Sequence, residues 1–203
     1  MKLYYLPGAC SLACHIALEW TKADYQAIKM AREDLKTEEY LQLNPVGSVP
    51  CLQDGDFVIC QNIAILDYLD AKYREAKIFA GQDLKLRAKV MQWLSFCNSD
   101  LHKAFVPLFA PMKFLSNEEN FPDLQNHAKQ SVKGLLQIVE QNLQKQDYLA
   151  GEKSIADVYL LVCLGWCKLL QLDVSEFANL GAFVERMASD VGVQRAMQME
   201  GLI

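Results

Sequence analysis

No two cysteines stand in a C-x-x-C pair anywhere in the 203 residues. That excludes a thioredoxin-type redox pair and the usual ligand spacing of a structural zinc site. Lysine and arginine nowhere cluster, and 20 of them against 25 acidic residues leave a formal charge of −5. Such a chain offers no electrostatic footprint for nucleic acid. The longest apolar run, Val158 to Cys167, contains Gly165 and stops at Lys168, about half of what a bilayer span needs. The opening Met1-Lys2-Leu3-Tyr4-Tyr5-Leu6-Pro7 is broken too soon for a signal peptide. There is no internal repeat and no low-complexity tract. The expectation is a cytoplasmic protein with no resident metal and neither membrane nor nucleic acid as a partner.

What is present is a large apolar fraction, 52%, enough for one substantial core or two smaller ones. The seven cysteines (Cys10, Cys14, Cys51, Cys60, Cys97, Cys163 and Cys167) are odd in number and scattered. They make a poor disulfide framework, fit a reducing compartment, and read mostly as small core residues.

Residues 1–80 alternate strand-like and helix-like segments. Lys2–Leu6, Tyr25–Lys29, Val49–Gln53 and Phe57–Cys60 read as strands, the last two joined by a tight Asp54-Gly55 turn. Helical spacing runs from Ser11, over Glu38–Leu43 up to Asn44-Pro45, and over Ile63–Tyr73. The order is βαβαββα. Gly81-Gln82-Asp83 marks a boundary, and beyond it only helices are expected, over 84–112, 123–146, 155–170, 176–189 and 191–199. The first should bend or end at Pro107 and Pro111. Ser154-Ile155-Ala156-Asp157 is a capping box opening the apolar run.

Four places invite chemistry. Cys10 follows Pro7-Gly8-Ala9 at a strand-to-helix turn, where unpaired N–H groups and the helix dipole favour thiolate. Its pKa is expected below the ordinary 8.5, although a half-buried small residue is the plainer reading. Val49-Pro50 opens a strand with a residue that cannot donate to the ladder. A cis bond there would free the Val49 backbone for a peptide-like ligand, while an edge-strand proline is the alternative. Gln61 and Asn62 stand at a helix start, able to cap it or to help its amides hold a carboxylate. Asp100-Leu101-His102-Lys103 breaks an apolar helix with polar groups; His102 is either structural or a donor to a thiolate, and Lys103 a donor to a carboxylate. His15 and His127 read as structural, and Cys14, one turn beyond Cys10, as core.

In order and spacing these segments resemble the cytosolic glutathione S-transferases, bacterial beta class, over essentially the whole chain. The resemblance lies in Met1-Lys2-Leu3-Tyr4-Tyr5 with Pro7-Gly8-Ala9-Cys10-Ser11-Leu12, and in Asn44-Pro45-x-Gly47-x-Val49-Pro50. It continues through Ile63-Ala64-Ile65-x-x-Tyr68-Leu69, Leu101-His102-Lys103, Pro107-Leu108-Phe109, Ile155-Ala156-Asp157 and Glu200-Gly201-Leu202-Ile203.

It implies an α/β thioredoxin-like domain (1–80) holding glutathione, an all-α domain (84–203) shaping the electrophile site, and a homodimer. Glutathione enters as co-substrate, and its thiolate is conjugated to small hydrophobic electrophiles in detoxification. The alternatives are a dedicated disulfide reductase working through Cys10 and a non-enzymatic binding or regulatory protein on the same fold.

By position, the resemblance puts Cys10 and His102 beside the glutathione sulfur, with Ala9 next to Cys10. It gives Val49 and Pro50 the cysteinyl backbone, and Gln61 and Asn62 the γ-glutamyl group. Asp100 reaches the glutamyl amine across the dimer, while Ser95, Ser99, Leu101 and Lys103 fall on neighbouring binding positions. Lys36 stands near the glycyl carboxylate. Gln61-Asn62 replaces Glu followed by Ser or Gly, Ser95 replaces asparagine, and Val46 replaces lysine. Weaker glutathione binding than in a typical member is expected.

Overall fold

A computed structural model describes residues 1–203. The first part is a four-stranded sheet of order β2-β1-β3-β4, built from β1 (Lys2–Tyr5), β2 (Gln26–Lys29), β3 (Cys51–Asp54) and β4 (Phe57–Cys60). β1 and β2 are parallel, joined by the crossover helix α1 (Leu12–Thr21); β1–β3 and β3–β4 are antiparallel. The short α2 (Glu38–Leu43) precedes β3, and α3 (Asn62–Lys72) follows β4. This is the βαβαββα order read from the sequence. β3 starts at Cys51 rather than Val49, because Pro50 has no N–H to give the ladder. The hairpin turn is one residue later than expected. Its central residues are Gly55 and Asp56, with positive φ at Gly55 (+62°) only. Asp54 pairs with Phe57 inside the ladder, the arrangement of a II′ turn.

Beyond residue 83 every regular element is helical: α4 (Leu84–Ser95), α5 (His102–Phe109), α6 (Phe121–Leu143), α7 (Ile155–Leu169), α8 (Ala178–Ala188) and α9 (Val191–Glu200). Asp83 caps α4 by accepting from the Leu86 amide at 2.8 Å. The sequence suggested one helix over 84–112. Instead, α4 passes through a π-helical turn, Phe96–Leu101, into α5, which ends ahead of Ala110-Pro111. Pro107 is tolerated inside α5. The π turn has no composition signal. Such turns recur at functional sites, and this one holds Asn98, Ser99 and Asp100.

One core runs through both parts, from Leu3 in the sheet to Ala196 in α9. α1 is buried from Leu12 through Leu18, because it packs on the sheet side and on α3, α7 and α9. α7 is buried at every position from Ile155 to Leu164, as its unbroken apolar run requires. Its first amide, on Ile155, donates to the Ile78 carbonyl at 2.8 Å. The capping box is present: the Asp157 carboxylate accepts from Ser154 N–H (2.8 Å), the Ser154 hydroxyl (3.1 Å) and Leu149 N–H (2.8 Å). No helix is long and apolar enough to cross a membrane.

Candidate functional site

The turn between β1 and α1 is held by side chains of α7 and α9. Gly8 has φ +68°, a conformation cheap only for glycine. Its N–H donates to Glu200 Oε2 at 2.8 Å, and its carbonyl accepts from Trp166 Nε1 at 2.8 Å. Glu200 also meets His15 Nδ1 at 2.9 Å in a fully buried pair. His15 is structural as expected, its ring set against Tyr5 and Tyr25.

This frame places Cys10 just ahead of α1, its thiol donating to the Val49 carbonyl at 3.5 Å. Val49 and Pro50 are buried and joined by a cis bond. The loop leading to them needs Gly47, which has φ +63° and whose missing Cβ would lie 2.8 Å from the Leu35 carbonyl. The exposed Lys36 reaches the same loop, its Nζ 3.2 Å from that Cβ position.

The expected acidity of Cys10 is corrected. Burial pushes its thiol above the ordinary value, and hydrogen bonds from Asn62 and from the Cys10 and Ser11 amides only partly offset it. Loss of water around the sulfur outweighs the helix start. At neutral pH Cys10 is therefore a thiol, consistent with its donating to Val49. Its alkylation by iodoacetamide, read by peptide mass mapping, is expected to be slower than that of free cysteine at pH 7. The rate should keep rising as pH passes about 8.5. A plateau below that pH would contradict the burial argument.

Gln61 holds φ +76° at the start of α3 and does not cap it with its side chain. The capping reading therefore fails, and the first amides of α3 lack a side-chain acceptor. The Asn62 side chain turns inward: it accepts from the Cys14 thiol at 3.1 Å and donates to the Tyr159 hydroxyl at 3.4 Å. As a ligand contact, Asn62 has only its backbone to offer.

His102 opens α5 with Nδ1 2.9 Å from the Tyr159 hydroxyl and its ring edge-on to Trp166 at 4.7 Å. Burial, then the adjacent Lys103 charge, push its pKa down to about 4, so the ring is neutral at pH 7. Leu101 is core; Ser99, Asp100 and Lys103 are exposed, and Ser95 is half-buried at the end of α4. Cys10 and His102 make no direct bond. Trp166 links Gly8, two residues before Cys10, to His102, and Tyr159 links Asn62 to His102.

A cleft of about 480 Å³ opens between the first turns of α3 and α4 with its π turn, lined by Gln61, Ile63, Ala64, Asp67, Met91 and Asn98. On the helical side, Phe105 and Trp166 are buried, whereas Phe109 and Met112 are exposed by 42% and 64%.

The glutathione S-transferase N-terminal domain model matches residues 1–71, and the C-terminal domain model residues 96–190. A relative from Xanthomonas campestris, "Glutathione S-transferase GST-4.5", is 36% identical over the whole of both chains. The chain belongs to the glutathione S-transferase family. A glutathione S-transferase structure from Xylella fastidiosa is 41% identical with a TM-score of 0.95, covering 100% of this chain and 99% of that one. A beta-class glutathione S-transferase from Sphingomonas chungbukensis is 39% identical with a TM-score of 0.88, covering all of both chains. The fold is thus the glutathione transferase fold, and the family is one of transferases.

Sequence reasoning missed Tyr159, Asn98 and Trp166's contact with Gly8. Tyr159 is the one hydroxyl in the apolar run of α7. That is the available signal, because a buried phenol seeks a partner.

Proposed function

We propose that the protein binds glutathione in the groove between Val49-Pro50, the start of α3 and the start of α5, and conjugates its thiolate to small hydrophobic electrophiles. The observation carrying this is the Cys10 thiol at 3.5 Å from the Val49 carbonyl, which brings the opening of α1 against the edge at Pro50. A tripeptide laid along that edge has its sulfur beside Cys10 and Ala9. Its γ-glutamyl carboxylate falls on the uncapped amides of α3 beside Gln61. Its glycyl end lies toward Lys36. Residues 1–80 form the glutathione domain, and residues 84–203 supply the electrophile site, with Phe109 and Met112 as its exposed apolar face.

Free glutathione is mostly thiol at neutral pH, so the site must favour the anion. One unit of pKa corresponds to about 1.4 kcal/mol, within reach of one or two hydrogen bonds to the charged sulfur. The Cys10 S–H is a donor for that purpose. The thiolate then forms a C–S bond as the electrophile's leaving group departs. Thiol–disulfide transfer is the side reaction: deprotonated Cys10 attacks a glutathione disulfide, releases one glutathione thiolate, and is regenerated by a second. The working form is a cytoplasmic homodimer in detoxification. Supporting it, Phe57 on β4 is 48% exposed beside Tyr68, and Asp100 is exposed and free to meet a glutamyl amine across an interface.

Calorimetry with glutathione tests the reading. Saturable binding is expected, about tenfold weaker in Gln61→Ala, whose lost contacts correspond to roughly 1.4 kcal/mol. No heat of binding, together with no retention on immobilised glutathione, would leave a regulatory scaffold of the same fold instead.

A further inference from the structure

The Tyr159 hydroxyl stands where three polar side chains converge. It donates to Asn98 Oδ1 at 2.9 Å, receives Asn62 Nδ2 at 3.4 Å, and lies 2.9 Å from His102 Nδ1. The residue is fully buried. Three elements supply the partners: Asn62 from the start of α3, Asn98 from the π turn and His102 from α5.

A phenol has one proton and two lone pairs. With the proton on the line to Asn98, both lone pairs must be met by donors. The Asn62 amide is one, oriented by the Cys14 thiol that points at its carbonyl oxygen at 3.1 Å. His102 is the other, and a neutral imidazole donates from Nδ1 only when that nitrogen holds the proton. Nε2 then bears the lone pair. It makes no hydrogen bond within the chain, and the His102 side chain is only part-buried.

We propose that Tyr159 is a positioning residue: its hydroxyl fixes His102 as the Nδ1–H tautomer, so that Nε2 is the acceptor for the proton leaving the glutathione thiol. The inference rests on the glutathione site proposed above. The S–H bond breaks, the proton passes to Nε2 and from there to water, because a ring with a pKa near 4 does not keep it at pH 7, and the electron pair stays on the sulfur that attacks. A neutral ring is required, because imidazolium has no lone pair. Trp166 against the ring and the bond to Tyr159 hold its plane, so the tautomer decides which way the acceptor faces.

Two variants test this. Tyr159→Phe keeps the ring and removes the hydroxyl. Asn98→Leu removes the acceptor, releasing the phenol proton to turn toward His102 Nδ1. Long-range ¹H–¹⁵N spectra of the side chains resolve the tautomers, since only three histidines contribute and His102→Gln identifies the signal. The free wild-type protein is expected to show the Nδ1–H form. Asn98→Leu should show predominantly Nε2–H, and Tyr159→Phe a mixture. In parallel, the ultraviolet absorbance of bound glutathione thiolate at pH 7 and kcat should fall about tenfold or more in both variants, within the range of general-base effects. KM for glutathione should stay within about twofold, a split that general loosening of the fold would not produce.

Wild-type protein in the Nε2–H form would mean the Asn98 amide is turned round, and would overturn the proposal. So would a tautomer unchanged in both variants, or unchanged thiolate and kcat after the tautomer switches. Failure of the wild type to bind glutathione would instead sink the glutathione site, while the tautomer read on the free protein would still report on the hydrogen-bond arrangement.

Discussion

Cys10→Ala is expected to abolish thiol–disulfide transfer, by at least about a thousandfold, while conjugation falls by no more than about tenfold. Transfer needs a sulfur that becomes covalently linked, and alanine has none. Conjugation asks of Cys10 only a donated S–H. Thiol S–H is a weak donor, which keeps its bond to the charged sulfur at about 1.5 kcal/mol, the low end for charged acceptors, and the loss near tenfold. The asymmetry follows from burial. Because desolvation holds the Cys10 thiol above its ordinary pKa, the residue rests protonated at neutral pH, suited to stabilising another thiolate rather than to being one. Parallel assays with an activated aryl halide and with a mixed glutathione disulfide separate the two rates. Equal collapse of both would make Cys10 an obligatory nucleophile; survival of both would remove it from the chemistry.

Asp157→Ala is expected to cost about 3–5 kcal/mol of stability. Its carboxylate satisfies Leu149 N–H, Ser154 N–H and the Ser154 hydroxyl, all in a site closed to water. Alanine strands these donors, at roughly 1–3 kcal/mol for each buried unsatisfied group, reduced by local relaxation. For a chain of this length the melting temperature should drop by about 10 °C or more. Asp157→Asn keeps one acceptor oxygen and the side-chain shape, and should lose about half as much. Urea and thermal unfolding of the three proteins at pH 7 measure it. A change under about 1 kcal/mol in the alanine variant would refute the account. The effect should spread beyond α7, because the amide next to Ser154, on Ile155, is bonded to Ile78 in the chain's first part.

What could be read in the sequence was local or periodic. The βαβαββα order follows from alternation, spacing and turn residues, and the Ser154–Asp157 box from four consecutive residues. The unread parts depend on tertiary neighbours. The acidity of Cys10 changes sign because of what covers the sulfur, which no neighbour in sequence reports. Asn62 looks like a helix cap, but Cys14 and Tyr159 draw its side chain inward. Tyr159 lies 57 positions from His102 and is spaced like any core aromatic. The π turn leaves composition unchanged, yet it ends at the residue just before His102. The misplaced hairpin turn is a smaller error of the same kind: Asp54-Gly55 and Gly55-Asp56 are both plausible by residue type, and pairing of Asp54 with Phe57 decides between them.

The bond from Gly8 to Glu200 spans 192 positions. During synthesis, the sheet and α1 leave the ribosome long before the helix carrying Glu200 exists. Until then the Gly8 amide and the buried His15 ring have no acceptor, and the turn beneath the Cys10 sulfur has only part of its scaffold. The pocket is therefore finished only once α9 has been made and has folded back onto the turn. Clipping within α9 works in the opposite direction: it removes the brace of the turn without touching any residue beside the sulfur.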